Sequence, residues 1–149
     1  MTVQPERLSR HANPTIKAAG LSHLLWERPD LDLAERFAAD FGLGVTRRSA
    51  DALHLRGSGP SSYVSVIRKA PRSRFVGFAW KAADRGDLDR VARIPGASGV
   101  EKIEGPGGGE RVVLRDPHGF RVEVVHGIAE VESQPFGSSA PVNHPFEAR

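Results

Sequence analysis

Residues 116–127 of this 149-residue chain read DPHGFRVEVVHG, a tight turn followed by a strand. The Asp-Pro step and the glycine are typical of a turn, and the following run alternates with the period of two that indicates a β-strand. This alternation gives the strand two faces, one with Arg121, Glu123 and Val125 and the other with Phe120, Val122 and Val124. The carboxylate of Glu123 either faces water, lines a polar cavity or holds a metal ion, and these roles imply different functions.

The rest of the chain shows the same order of elements twice: one strand, one helix and three strands. In the first copy we predict a strand at 21–28, a helix after Asp30 and strands near 44–49, 52–56 and 63–68. In the second copy we predict a strand at 75–81, a helix within 86–94 and strands near 100–104, 111–115 and 120–125. The segment GPGGGE is followed by a strand rather than a helix, which favours a hairpin connection over a phosphate-binding loop. The repeated order predicts an α+β domain.

The first helix has clear end signals and an apolar face. Asp30 or Asp32 can cap its N-terminus, and Gly42 is expected to end it. Leu33, Phe37 and Phe41 recur at intervals of four residues, with Ala34 and Ala38 beside them. Such a stripe is typical of a helix that packs on a protein core.

Composition limits the class of protein. The hydrophobic content of 39% and charged content of 26% are ordinary for a globular domain, and no apolar run is long enough for a transmembrane helix. The chain has no cysteine and no secretory signal, which fits the cytoplasm. Its net charge is +3, but the basic residues form no long stripe, so we expect neither nucleic acid nor membrane as a partner. The basic cluster RKAPRSR, residues 68–74, is interpreted as a solvated loop, with an anion site as the alternative.

Three stretches resemble the vicinal oxygen chelate superfamily, whose members include glyoxalase I, bleomycin- and fosfomycin-resistance proteins and extradiol ring-cleavage dioxygenases. They are LSHLLWERPDLDLAERFAADFGL, FVGFAWKAADRGDLDRVA and DPHGFRVEVV. The resemblance implies two paired βαβββ modules whose curved sheets surround a cup. It places this domain at 21–126, with modules at about 21–68 and 75–126. Residues 1–20 would then be an N-terminal extension, and residues 127–149 a tail or interdomain linker.

The same resemblance assigns positions to a metal site in the cup. Carried over, these are His23, Phe75 and Glu123, with a fourth position near Ser65. A non-haem iron centre needs two histidines and one carboxylate, and Phe75 cannot be a ligand. Fe(II) or another divalent metal is therefore expected only if other groups complete the site. We interpret Glu123 and His23 as pocket or structural residues, and we assign no catalytic residue.

Among family members, the chain is most similar to the N-terminal domain of two-domain extradiol dioxygenases, which has lost its metal ligands. The leading interpretation is a non-catalytic half of an enzyme that cleaves a catechol-like aromatic substrate with O2. The segment ESQPFGSSAPVNHPFEAR, residues 132–149, looks like a linker to a following catalytic domain. The expected roles are packing against that domain and support of a homo-oligomer.

Two alternatives remain. A stand-alone protein of the bleomycin-resistance type would bind a small aromatic molecule without metal, with cup walls formed by Tyr63 and by Phe78 or Trp80. A metal-dependent glyoxalase or lyase would use His23 and Glu123 together with groups from a second chain.

Overall fold

The computed structural model describes residues 12–135, and its elements follow the predicted order. The first module contains β1 (Gly20–Arg28), α1 (Leu31–Asp40), β2 (Gly44–Arg48), β3 (Ala52–Arg56) and β4 (Ser65–Lys69). The second module contains β5 (Arg74–Lys81), α2 (Arg85–Ala92), β6 (Glu101–Lys102), β7 (Glu110–Arg115) and β8 (Arg121–His126). The ends of the expected extension and tail, residues 1–11 and 136–149, lie outside the described residues.

All eight strands belong to one curled sheet in the order β2-β3-β4-β1-β5-β8-β7-β6. The central strands β1 and β5 are antiparallel, and each is parallel to the last strand of its own module, β4 and β8 respectively. The two modules are therefore joined back to back through their first strands. This arrangement confirms the predicted α+β fold of two paired βαβββ modules around a cup.

Each helix covers one side of its module and forms a separate small core. Leu31, Ala34 and Ala38 of α1 pack on Leu53 and Leu55 of β3. In the second module, Leu88 and Val91 of α2 pack with Val112 of β7 and Val124 of β8. Because strand side chains alternate between faces, the residues between these positions point to the opposite, concave side of the sheet. Within residues 12–135, neither helix has the length and apolar character needed to cross a membrane.

Helix α1 packs on the sheet with only part of the apolar face that the sequence predicts, since Ala34 and Ala38 are buried but the larger side chains beside them are not. Leu33, Phe37 and Phe41 are 57%, 71% and 75% exposed, and the two phenylalanine rings stack at 6.3 Å. The buried face contains two alanines, which let the helix backbone approach the sheet closely. The alanines and the larger apolar residues recur with the same helical periodicity, so the pattern alone could not show which of them are buried.

Aspartates begin both helices. Asp30 caps α1 by accepting a hydrogen bond from the backbone N–H of Leu33 at 2.9 Å. Asp84 caps α2, where its side chain and that of Asp87 accept backbone hydrogen bonds reciprocally in a capping box. These bonds satisfy backbone donors that the first helical turn leaves unpaired.

The described part of the predicted tail is hydrogen-bonded to both modules. The backbone N–H of Ala129 donates to the carbonyl of Gly107, and those of Val131 and Gln134 donate to the carbonyls of Pro60 and Ser58 at 2.9 and 2.8 Å. Residues 127–135 therefore run from the end of β8 to the connection between β3 and β4. This segment joins the two modules at a second place, in addition to the β1–β5 seam.

Gly77 lies where β5 and β8 approach closely. A Cβ atom at this position would be 1.8 Å from the carbonyl oxygen of Arg121, which belongs to backbone and cannot swing away. Gly77 is paired with Arg121 across the parallel β5–β8 ladder and with Leu25 across the β1–β5 seam. A glycine at this position therefore allows β8 to pair closely with β5 within the second module.

We predict that Gly77→Ala destabilises the protein by more than about 4 kcal/mol, because a methyl group there must push two strands apart. Gly44→Ala is the matched control, since Gly44 also lies in a strand but a Cβ atom there would have no other atom within 4 Å. Urea denaturation followed by circular dichroism measures both effects. Equal stability losses for the two variants would contradict the close-approach argument.

Candidate functional site

The concave face of the sheet encloses a cavity of about 910 Å³, lined by strands of both modules. Seven arginine and lysine side chains and four carboxylates line it. The buried residues His23, Tyr63 and Glu123 lie at its interior end, with exposures of 2–4%. The cavity has the size of a small-molecule pocket, and most of its charged groups are cationic.

Glu123 on β8 is a buried carboxylate that two arginines neutralise. Arg121 donates from Nε to Oε1 of Glu123 at 2.7 Å, and Nη1 of Arg111 is 3.5 Å from the same oxygen. Nε2 of His23 lies 3.8 Å from the other carboxylate oxygen. A buried carboxylate needs such partners, because removing its charge from water is otherwise very costly.

The surroundings of Glu123 keep it ionised. Burial alone would raise the pKa of this carboxyl group, but contact with His23, the hydrogen bond from Arg121 and the charges of Arg111 and Arg121 outweigh burial. Together they lower the pKa from 4.5 to about 2. Glu123 is therefore an anion at all ordinary pH values.

The ring of His23 is held by a polar contact at one nitrogen and by packing against an aromatic ring. Its Nδ1 is 3.0 Å from the hydroxyl of Ser22, and the ring packs against Tyr63 with centroids 4.8 Å apart. A proton on Nε2 suits the neighbouring carboxylate of Glu123, and in that tautomer Nδ1 accepts a hydrogen bond from the hydroxyl of Ser22. These contacts fix the position of the His23 ring in the cup.

The third metal position does not fall on Phe75 in the folded protein. Ala79 of β5 is paired with His23 on one side and with Glu123 on the other, so it occupies the place between them. Phe75 is paired with Trp26 instead, beyond a register shift between Leu25 and Trp26. Assigning Phe75 to the row was therefore an error of register.

The residues in the cup do not fit a divalent metal ion. Ala79 offers no ligand atom, and Ser65 of β4 lies next to the cup-lining Val66 and thus on the other sheet face. Arg111 and Arg121 form ion pairs with the carboxylate of Glu123, and their positive charges would repel a metal cation. Within residues 12–135, no three histidine, cysteine, aspartate or glutamate side chains are grouped to hold a metal ion.

The aromatic lining of the cup also differs in part from the predicted one. Tyr63 lines the cavity, but Phe78 and Trp80 do not. On β5 the cup-facing positions are Gly77 and Ala79, so Phe78 and Trp80 alternate to the opposite face, where Trp80 is partly exposed. The prediction that either of them forms a cup wall was therefore wrong.

The sequence analysis missed Trp26 and Phe120 as aromatic lining of the cup, and Arg111 and Arg115 as basic lining. An aromatic row lines it, with ring centroids of Trp26 and Phe75 4.9 Å apart and those of Phe75 and Phe120 5.5 Å apart. Arg111 and Arg115 lie two residues before and two residues after Val113 on β7. Because Val113 is paired with Glu123, both arginines share the sheet face of Glu123. The alternation of side chains along β7 is the sequence signal from which this basic lining could have been predicted.

His54 of β3 reports on the electrostatic potential in the first-module part of the cup. Burial, together with the charges of Arg47, Arg68 and His23, lowers the pKa of His54 from 6.5 to about 4. Its ring packs edge-on against Tyr63, with centroids 5.2 Å apart, and its buried Nδ1 has no hydrogen-bond partner among the described residues. His54 is therefore neutral at pH 7 in a positively charged surrounding.

We predict that Glu123→Gln lowers the free energy of unfolding by about 3 kcal/mol at pH 7, because a carboxyl pKa lowered to about 2 stabilises the fold by that order. Since the folded-state pKa lies below the ordinary value, this stabilisation is complete above pH 4.5 and is lost as the pH falls towards 2. The difference in the free energy of unfolding between wild type and Glu123→Gln should therefore shrink as the pH falls from 4.5 towards 2. Urea denaturation at several pH values measures it.

Glu104→Gln is the control for this experiment, because Glu104 is an exposed carboxylate that lines the same cavity without an ion pair. We expect its effect to be below about 0.5 kcal/mol. A difference in the free energy of unfolding between wild type and Glu123→Gln that stays constant down to pH 2 would contradict the ionised state of Glu123.

Comparison with known proteins gives matches of structure but not of sequence. No protein-family model matches the chain, and no curated protein matches it. The Mn(II)-bound glyoxalase from Novosphingobium aromaticivorans superposes with a TM-score of 0.75 and 22% identity, over 83% of this chain and 44% of that one. Homoprotocatechuate 2,3-dioxygenase from Brevibacterium fuscum, in complex with 3,4-dihydroxyphenylacetate, superposes with a TM-score of 0.71 and 20% identity, over 84% and 41%.

This chain thus spans less than half the length of both structures. The superpositions cover 83% and 84% of this chain, and they confirm the fold that the sequence resemblance implied. The chain therefore has a two-module fold that it shares with this glyoxalase and this 2,3-dioxygenase.

Proposed function

We propose that this chain is a non-catalytic domain of an extradiol-type ring-cleavage dioxygenase, a class of enzyme that opens catechol-like rings with O2. The observation that carries the proposal is the bonding of Glu123. The carboxylate at the expected metal position is held by Arg111 and Arg121, and its strand neighbour is Ala79. In the proposed arrangement this domain is the N-terminal half, and a following domain binds the divalent metal, Fe(II), and the aromatic substrate.

The proposed role of the domain is to pack against the catalytic domain. The exposed stripe of Leu33, Phe37 and Phe41 on α1 is suited to this contact, because monomeric proteins rarely leave several large apolar side chains together in water. The solved dioxygenase is more than twice as long as the matched region, which supports a second domain as the occupant of this surface. The stripe lies on the outside of the sheet, so the contact would leave the cup open.

Metal retention tests the non-catalytic assignment. We predict that the chain, expressed with added Fe(II) or Mn(II) and then dialysed, retains no stoichiometric metal by mass spectrometry, because two guanidinium groups occupy the only carboxylate at the expected position. Glu123→Ala should leave the metal content unchanged, as should the control Glu104→Ala. One metal per chain in the wild type, lost in Glu123→Ala alone, would overturn the proposal.

The mass of the untagged product of the complete gene tests the two-domain arrangement. The proposal expects a mass at least twice the 16.1 kDa of this chain, as a second domain of similar size would give. A product near 16.1 kDa would instead favour the second candidate function.

The second candidate is a stand-alone module that binds a small, partly aromatic molecule without metal, as a homodimer. The observation that favours it is the cavity of about 910 Å³ with Tyr63, Trp26 and Phe75 in its lining. The basic lining disfavours a cationic ligand of the bleomycin type. A metal-dependent glyoxalase or lyase has less support, because a second chain would have to supply ligands beside Arg111 and Arg121.

A further inference from the structure

The carboxylates of the cup leave part of its positive charge unbalanced. Glu27 pairs with Arg74, and Glu123 is shared by Arg111 and Arg121. Four further cationic side chains line the cup with no carboxylate at ion-pair distance within residues 12–135: Arg47, Arg68, Lys102 and Arg115. Among the described residues, two carboxylates of the lining have no ion-pair partner, Asp51 and Glu104. The excess favours an anionic occupant.

Two of these cations flank one part of the cup. Arg47 on β2 is paired with His54 on β3, which is paired with Val66 on β4, and Arg68 lies two residues further along β4. From the spacing of strands and of residues along them, the Cα atoms of Arg47 and Arg68 are about 12 Å apart. Two arginine side chains that start from such positions on one face can both reach a carboxylate between them.

Their guanidinium groups are available for a ligand. Within residues 12–135, the guanidinium group of Arg68 has no hydrogen-bond or ion-pair partner, and that of Arg47 is anchored by one nitrogen, Nη1, which donates to the carbonyl of Glu104 at 3.0 Å. Arg47 is thus fixed in position while most of its donors stay free. Both charges reach His54, since each contributes to the low pKa of that residue.

An apolar surface adjoins this basic part of the cup. Leu25, Tyr63 and Val66 form one hydrophobic cluster, and all three line the cavity. Val66 is paired with both His54 and Leu25, so the apolar cluster continues directly from the row that begins at Arg47. A cavity with a few charged donors beside an apolar wall suits a ligand with one charged end.

We propose that the cup binds a small organic carboxylate, with the carboxylate between Arg47 and Arg68 and the apolar body of the ligand against Leu25, Tyr63 and Val66. Arginine suits this role because its planar guanidinium can donate two parallel hydrogen bonds to a carboxylate. The inference goes beyond the supporting role proposed above and holds for either candidate function. It requires no metal.

Three probes of similar shape and different charge test the ligand class: benzoate, benzyl alcohol and benzylamine. Isothermal titration calorimetry of the full chain at low salt should detect binding of benzoate and none of benzylamine, with benzyl alcohol at least tenfold weaker than benzoate. Added NaCl should weaken benzoate binding, since screening acts on charge attraction. Binding of benzylamine as tight as that of benzoate would overturn the proposal, as would no benzoate binding at millimolar concentration.

Substitutions locate the site. Arg47→Gln and Arg68→Gln should each weaken benzoate about tenfold or more, as expected for the loss of a charged hydrogen bond. Arg72→Gln is the control, because Arg72 is an exposed arginine of the β4–β5 connection that does not line the cup. Unchanged affinity in both cup variants, with folding verified by thermal denaturation, would overturn the proposed position.

A nuclear magnetic resonance titration gives a second measurement on the unmodified protein. Saturating benzoate should raise the pKa of His54 from about 4, because an anion beside Arg47 and Arg68 offsets their charges. No change of the His54 titration at saturation would place the ligand elsewhere. The metal-retention experiment has an independent outcome, so failure of one proposal is distinguishable from failure of the other.

Discussion

The ion cluster of Glu123, Arg111 and Arg121 is the interaction on which the character of the cup depends. A carboxylate at 2% exposure must be compensated, and here the compensation comes from side chains of the same sheet face on β7 and β8. The cluster satisfies the buried anion without a metal ion. It also places fixed charges at the interior end of the cup.

The order of elements could be predicted from the sequence because each signal is local. Caps such as Asp30, turns such as that at Asp116, and strand alternation all act within a few residues along the chain. Repetition of one unit then predicts an α+β domain, and the pairing of two modules around a cup was implied by the family resemblance. These signals recur in both modules, and this consistency made the fold predictable despite low sequence identity to the solved structures.

The composition of the site was less predictable, because it depends on register between distant strands. The pairing of β1 with β5 and of β5 with β8 places Ala79 between His23 and Glu123, while Phe75, four residues earlier on β5, is paired with Trp26. The same alternation turns Phe78 and Trp80 away from the cup. Likewise, α1 has two periodic apolar faces, and the close approach allowed by Ala34 and Ala38 determines which of them is buried. A single sequence encodes these choices only through tertiary packing.

The basic residues of the cup illustrate a different reason for a missed site. Charged side chains in a strand are usually interpreted as solvent-facing, and Arg47, Arg68 and Arg111 fit that interpretation one at a time. In the folded sheet they converge, because the strands that carry them curl around the same space. The apolar cluster of Leu25, Tyr63 and Val66 belongs to the same space, so the two modules share one cavity of mixed character.

The row of His23, Ala79 and Glu123 also bears on how this fold can change during evolution. A ligating side chain at Ala79 would have to fit a position with 0% exposure, and Arg111 and Arg121 would still hold the carboxylate. Removing either arginine first would leave a buried charge with less compensation. A metal centre at this row would therefore require several substitutions that are each unfavourable alone, and their effects on stability would not be additive.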